Sequence, residues 1–275
     1  MPHAGQKGSS FNSARAALAR DGAAAFWAAL DAELDLWHAA GRRATFYWRD
    51  DDAALPAPAL DRLLALSAET GVPLALAVIP ARCVLSPAML PASVRVLQHG
   101  YAHLNHAKGR GEGAAELGLH RPPAQTLAEL EEGRKRLADR FGAAFTPALA
   151  PPWNRIAPEL VPALAAHGFS GLSAAGERAA AEPAPGLRQA NIHWDLIDWK
   201  RGRGFRGYGS ALDLVEHLRR RRRGEADPDE PTGLLSHHLD MDDAGWEFLA
   251  RLLAATRTHP AASWCDPAAL FARSA

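Results

Sequence analysis

The chain has 275 residues, of which 48% are hydrophobic and 23% charged, enough to bury one large core and far from the composition of a disordered protein. Its 31 Lys and Arg residues balance 31 Asp and Glu residues, so no net field draws it to nucleic acid or to an anionic membrane. No run of about 18 apolar residues occurs, which argues against a membrane-spanning helix. The opening segment MPHAGQKGSSFNSARAALAR has no apolar signal core, and the expectation is a cytoplasmic protein. Cys83 and Cys265 lack the C-x-x-C spacing of a redox or zinc motif and are expected as small buried apolar residues.

Residues 1–40 read as an N-terminal helical extension, rich in alanine, with Leu18, Phe26, Leu30, Leu34 and Trp37 at near-helical spacing around Gly22. Residues 41–275 read as a single domain in which short apolar runs alternate with amphipathic stretches. The runs are 44–48, 73–79, 94–97, 145–150, 169–173, 187–193, 233–236 and, more weakly, 261–264; helices are predicted over 58–70, 125–140, 158–167, 212–222 and 242–256. Residues 177–186 and 224–231 read as surface loops. Repeated strand and helix argue for a parallel sheet, and seven or eight strands fit either a barrel or a large doubly wound sheet.

In parallel α/β folds ligands bind at the carboxyl ends of strands, so the residues just after each run carry the interest. The first run is followed by Arg49-Asp50-Asp51-Asp52, the third by His99 and His103, the fourth by Pro151-Pro152-Trp153-Asn154-Arg155, the sixth by Asp195, Asp198 and Trp199, and the seventh by His237-His238. Three adjacent carboxylates repel one another unless a cation compensates. His99 and His103, four apart, can converge on one ion, and one carboxylate with two histidines forms a facial set that leaves positions for water and substrate. Trp153 and Trp199 offer flat faces to a sugar or another partly apolar substrate, although a buried Trp is commoner. Either His237 or His238 could act as an acid near neutral pH.

Together these stations resemble the motifs of the polysaccharide deacetylase family, the NodB-homology domain, from about residue 44 to residue 240. The resemblance implies an α/β fold, a distorted seven-stranded (β/α) barrel of the polysaccharide deacetylase type. The motif T-F-D-D-G is similar to Trp48-Arg49-Asp50-Asp51-Asp52-Ala53; with Ala53 on the glycine, Asp51 is the base and Asp52 the metal ligand, while a shift of one residue gives Asp50 and Asp51 instead. H-[ST]-x-x-H is matched by His99-Gly100-Tyr101-Ala102-His103 with glycine in place of the hydroxyl residue, and implies two further ligands, His99 and His103. R-x-P-[YW] is half present in Ala150-Pro151-Pro152-Trp153, leaving Arg155 or Arg49 to replace the missing arginine. D-x-x-D-W is complete as Asp195 to Trp199, and L-x-H as Leu235-Ser236-His237, with His237 as general acid and His238 as its rival.

What the resemblance implies is a metal-dependent hydrolase that removes an acetyl or acyl group from an N- or O-acylated sugar or a related small compound. The cofactor would be a divalent cation, Zn²⁺ first, with Co²⁺, Ni²⁺ or Fe²⁺ as alternatives. Trp153, Trp199 and Tyr101 would contact substrate, the last through a backbone N–H, and Arg155 is the expected cation beside Asp195 and Asp198. Two other readings stand beside it: a carbohydrate-binding barrel weakened in catalysis by Ala150, and a metal-dependent amidase acting on a non-sugar amide. The run Arg219 to Arg223 suits a helix C-terminus better than a nucleic-acid patch.

Overall fold

The computed structural model describes the backbone of residues 6–109 and 111–273 and the side chains from residue 22 onward, position 110 excepted. Helix α1 spans Gln6–Ala39. Leu18 lies outside the described side chains, but Phe26, Leu30, Leu34 and Trp37, spaced three or four apart, are all buried in the main hydrophobic cluster.

The strands are β1 (Ala44–Ala53), β2 (Leu74–Val78), β3 (Val94–His99), β4 (Phe145–Ala150), β5 (Gly171–Leu172), β6 (Arg188–Gln189), β7 (Trp194–Asp195), β8 (Thr232–Ser236) and β9 (Ala262–Trp264). The remaining helices are α2 (Pro58–Thr70), α3 (Pro123–Phe141), α4 (Tyr208–Arg223), α5 (Asp243–Thr258) and α6 (Pro267–Leu270). All ladders are parallel, in the order β6-β5-β4-β3-β2-β1-β8-β7, with β9 added against the start of β1.

No ladder joins β6 to β7; β6 lies within the run predicted over 187–193, and β7 follows directly after it. At Arg188 the chain pairs with Gly171 of β5, and at Trp194 with Leu234 of β8. One bent stretch of chain therefore ties the two margins of the curled sheet together. Counted with this stretch as one strand and without β9, the sheet has the seven strands of the expected distorted barrel.

Alternation along the strands divides the core. Tyr47, Ala75, Leu97, Ala148 and Leu235 point inward with Ala190, Ile192 and Phe271 of the segment after α6. Phe46, Trp48, Leu74, Leu76, Val94, Val96 and Leu234 point outward beneath the helices. By the same alternation Arg49, Asp51, His99 and Asp195 are inward positions at the carboxyl end of the sheet.

Three predicted elements differ. Strand β1 runs to Ala53, five residues past the expected end of the 44–48 run, so Arg49 and the three aspartates lie within it. The helix expected over 158–167 is a 3-10 segment, Pro158–Ala163, because Pro162 has no N–H to donate and its ring crowds the preceding turn. Helix α4 starts at Tyr208, one turn before the predicted 212. Its arginine run is occupied within the fold: buried Arg221 donates to Thr45 O, Thr45 Oγ1, Thr232 Oγ1 and Pro228 O, Arg222 grips Glu33 of α1 at 2.6 and 3.0 Å, Arg220 meets Glu177, and Arg219 meets Glu216. Among the described residues no helix is long and apolar enough to cross a membrane.

The closing stretch lies against β8 at Gly233, where an added Cβ would stand 2.1 Å from Asn191 O and 2.6 Å from Ile192 Cα. Gly233→Ala is therefore expected to cost roughly 3 kcal/mol and lower the Tm by about 6–12 °C in a thermal unfolding scan. An unchanged Tm would show that the two segments are not in contact.

Candidate metal centre

The register of β1 against β2 slips between Asp50 and Ala53, and Asp52 adopts a left-handed backbone, φ 72°. This bulge breaks the alternation and gives the three carboxylates three directions. Asp50, fully buried, faces outward and accepts from Ser236 Oγ at 2.6 Å and His238 Nδ1 at 2.5 Å. Asp51 faces inward and is gripped by the guanidinium of Arg49, Nε to Oδ1 at 2.9 Å and Nη2 to Oδ2 at 3.0 Å. Asp52 turns to His99 and His103, whose Nε2 atoms stand 3.3 and 3.2 Å from its Oδ1.

The set Asp52, His99 and His103 offers three ligand atoms within 4.8 Å of one another. His99 Nδ1 lies 3.0 Å from the carbonyl of Ala150. A carbonyl only accepts, so Nδ1 holds a proton and Nε2 is the ring nitrogen turned towards Asp52. Asp52 Oδ1 is buried without a hydrogen-bond partner among the described residues. Acceptors converging on one point fit a divalent cation. Although burial works against it, His99 and then His103 hold the Asp52 carboxyl well below the usual carboxylate range. For His99, burial is outweighed by Asp51 and Asp52, which raise it; burial and the His99 charge lower His103.

A pocket of about 480 Å³ gathers Asp51, Asp52, His99, His103, Trp153, Arg155, Asp195, Trp199 and His237 in its wall. His237 Nδ1 stands 3.6 Å from Asp195 Oδ1, while Trp199 donates its indole N–H to Asp195 Oδ2 at 2.7 Å and sets its ring edge-on to His237. His238, the rival acid, is committed to Asp50 on the other side of β1. Trp153, itself at φ 55°, lies against His103 with ring centroids 4.3 Å apart.

Two expectations need correction. Arg155 does not pair with Asp195 or Asp198: its guanidinium donates to Ala114 O at 2.9 Å, and Asp198 caps the backbone N–H groups of Lys200 and Arg201. The arginine beside Asp51 is Arg49, the other candidate, which also donates to Ser173 and Asn154. Tyr101 is absent from the pocket wall; its N–H donates to Glu116 Oε2 at 3.1 Å and its ring faces Arg136. Glu116, 1% exposed, also accepts the N–H of Ala102 at 2.7 Å and so fixes the turn between the two histidines. Its proximity explains the glycine of H-G-Y-A-H, since a Cβ on Gly100 (φ 56°) would lie 2.0 Å from Glu116 Oε2.

A second cluster, His193, His217 and Glu230, has ligand atoms equally close, but its donor set does not suit a cation. His193 Nδ1 accepts the N–H of Gly233 at 2.9 Å, so its Nε2 carries the proton and faces Glu230 at 3.5 Å. The cluster is a core hydrogen-bonding group with stacked imidazoles.

Burial disfavours the charged form of His237, but Asp195 and then Asp51 outweigh it and hold the imidazolium up to about 9. A histidine raised from its ordinary 6.5 stabilises the fold fully below pH 6.5, and that contribution, on the order of 3 kcal/mol, is lost as pH rises through 9. Denaturant titrations of metal-free protein should therefore show lower stability at pH 9.5 than at pH 6, and His237→Gln should remove most of the difference. A variant that keeps the full difference would assign it elsewhere.

No family model matches the chain, and comparison with curated proteins gives no match. Solved structures do match. A Mycobacterium smegmatis protein assigned as a polysaccharide deacetylase is similar at a TM-score of 0.54 and 16% identity, over 82% of this chain and 87% of that one. A CE4 esterase of Streptococcus mutans (TM-score 0.51, 12% identity, 82% and 86%) and the peptidoglycan deacetylase PdaC of Bacillus subtilis (0.51, 14%, 83% and 90%) are similar over comparable spans. The chain has the fold of the polysaccharide deacetylases.

Proposed function

We propose that the protein is a metal-dependent hydrolase that removes an acyl group from an N- or O-acylated sugar or a related small compound. The observation that carries this reading is the convergence of Asp52, His99 and His103 at the rim of a pocket that also holds the carboxylate of Asp51 and the imidazole of His237. A divalent cation held by the first three, Zn²⁺ or in its place Co²⁺, Ni²⁺ or Fe²⁺, supplies an activated water and polarises the acyl carbonyl.

The chain's own residues do the rest. Asp51, held in place by Arg49, takes a proton from the attacking water as its oxygen bonds to the carbonyl carbon. The C–N or C–O bond then breaks, and His237, oriented by Asp195, protonates the departing amine or alkoxide. Trp199 and Trp153 flank this space with aromatic faces suited to a sugar ring. Arg49 bears on the weakened-barrel reading, because the guanidinium missing from position 150 is present beside the base from another strand. A small non-sugar amide would meet the same groups, so the substrate panel below includes both kinds.

Elemental analysis of purified protein is expected to find near-stoichiometric metal that is lost in Asp52→Ala and in His99→Ala. No metal even after Zn²⁺ or Co²⁺ is added would refute the hydrolase and favour a binding barrel. Acetate release from N-acetyl and O-acetyl sugars, and from simple amides, should fall by about 10² to 10⁴ in kcat for Asp51→Asn and for His237→Gln with metal retained. Metal loss in those two variants would move them into the ligand set.

A further inference from the structure

A second concavity adjoins the pocket. It measures about 640 Å³, within the range of cavities that bury a whole small ligand, and Ala54, Leu55, Pro56, Ala57, Ile79 and Leu239 give it apolar wall, beside Arg82 and His238. Asp52, His103 and Arg203 line both spaces, so they meet at the candidate cation site. Asp51, Asp195 and His237 line only the pocket.

This division matters for any acyl carbonyl held at Asp52. Its carbon carries two substituents. The leaving nitrogen or oxygen must lie within reach of His237 and therefore in the pocket, whose other walls, Asn154, Arg155, Asp195 and Asp240, suit a hydroxyl-rich group. The acyl carbon chain must then leave the site in another direction, and the groove opens there. Leu55 and Leu239, 57% and 58% exposed, present apolar surface to it that a single methyl group would leave wet.

Resting on the hydrolase reading, we infer that the groove is the acyl-chain subsite and that the substrates carry linear acyl groups several carbons longer than acetyl. Burying each further methylene against this wall raises kcat/KM about threefold to fourfold until the groove is filled.

The test measures amine release by Zn²⁺-loaded full-length protein from N-acetyl-, N-butyryl- and N-hexanoyl-glucosamine. The expected result is a hexanoyl-to-acetyl ratio in kcat/KM near 100. Ala57→Trp, which fills the groove, should cut that ratio at least tenfold; should it fail to fold, Leu239→Asp changes an exposed position and should cut it in the same direction. Turnover that is flat or falls with chain length, or a ratio that neither folded variant changes, would overturn the subsite and leave the hydrolase standing. No turnover of any of the three would overturn the subsite, and if O-acetyl sugars and simple amides are also left uncleaved the hydrolase reading falls with it.

Discussion

Three consecutive carboxylates on a buried strand must each find a different counter-charge, and the placement of Asp50, Asp51 and Asp52 governs the rest of this molecule. Asp50 uses the outer face, where Ser236 and His238 of the neighbouring strand meet it. Asp51 uses the inner face and Arg49, two residues earlier and therefore on the same side. Asp52 has no face left, and the bulge with its positive φ carries it out to the two histidines. The central position of β1, between β2 and β8, makes all three partners available at once.

Such buried pairs add little net stability, because desolvating the charges offsets most of their attraction. Their effect is positional. With Arg49 spread over Asp51, Ser173 and Asn154, the inner carboxylate has one orientation, aimed into the pocket. Glu116 does the same for the turn carrying His99 and His103 by accepting two backbone N–H groups. Neither residue needs to touch a substrate to decide where one would react.

The parts legible in the sequence are those set by local spacing. Most strand starts and the His99 and His103 pair follow from period and position alone, whereas β1 runs five residues past its expected end at 48. Which arginine partners Asp51 was only half legible, because Arg49 and Arg155 both lay near it in sequence pattern and only the folded contacts separate them. Arg155 looked equally able until its backbone placed the side chain on Ala114. Tyr101 was misread for a related reason: its N–H goes to Glu116, a loop residue that no periodic signal singles out. The strand β7 escaped notice because its two residues, Trp194 and Asp195, read as the polar end of the preceding run.

That bent run has a further consequence. Exposed strand margins invite pairing with other chains, and parallel sheets in open form must cover them with helices, loops or charge. Here the margins at β6 and β7 are consecutive pieces of the same polypeptide. A single nick between Gln189 and Trp194 would cut the covalent link between both margins at once, making this stretch the point at which the closed sheet opens.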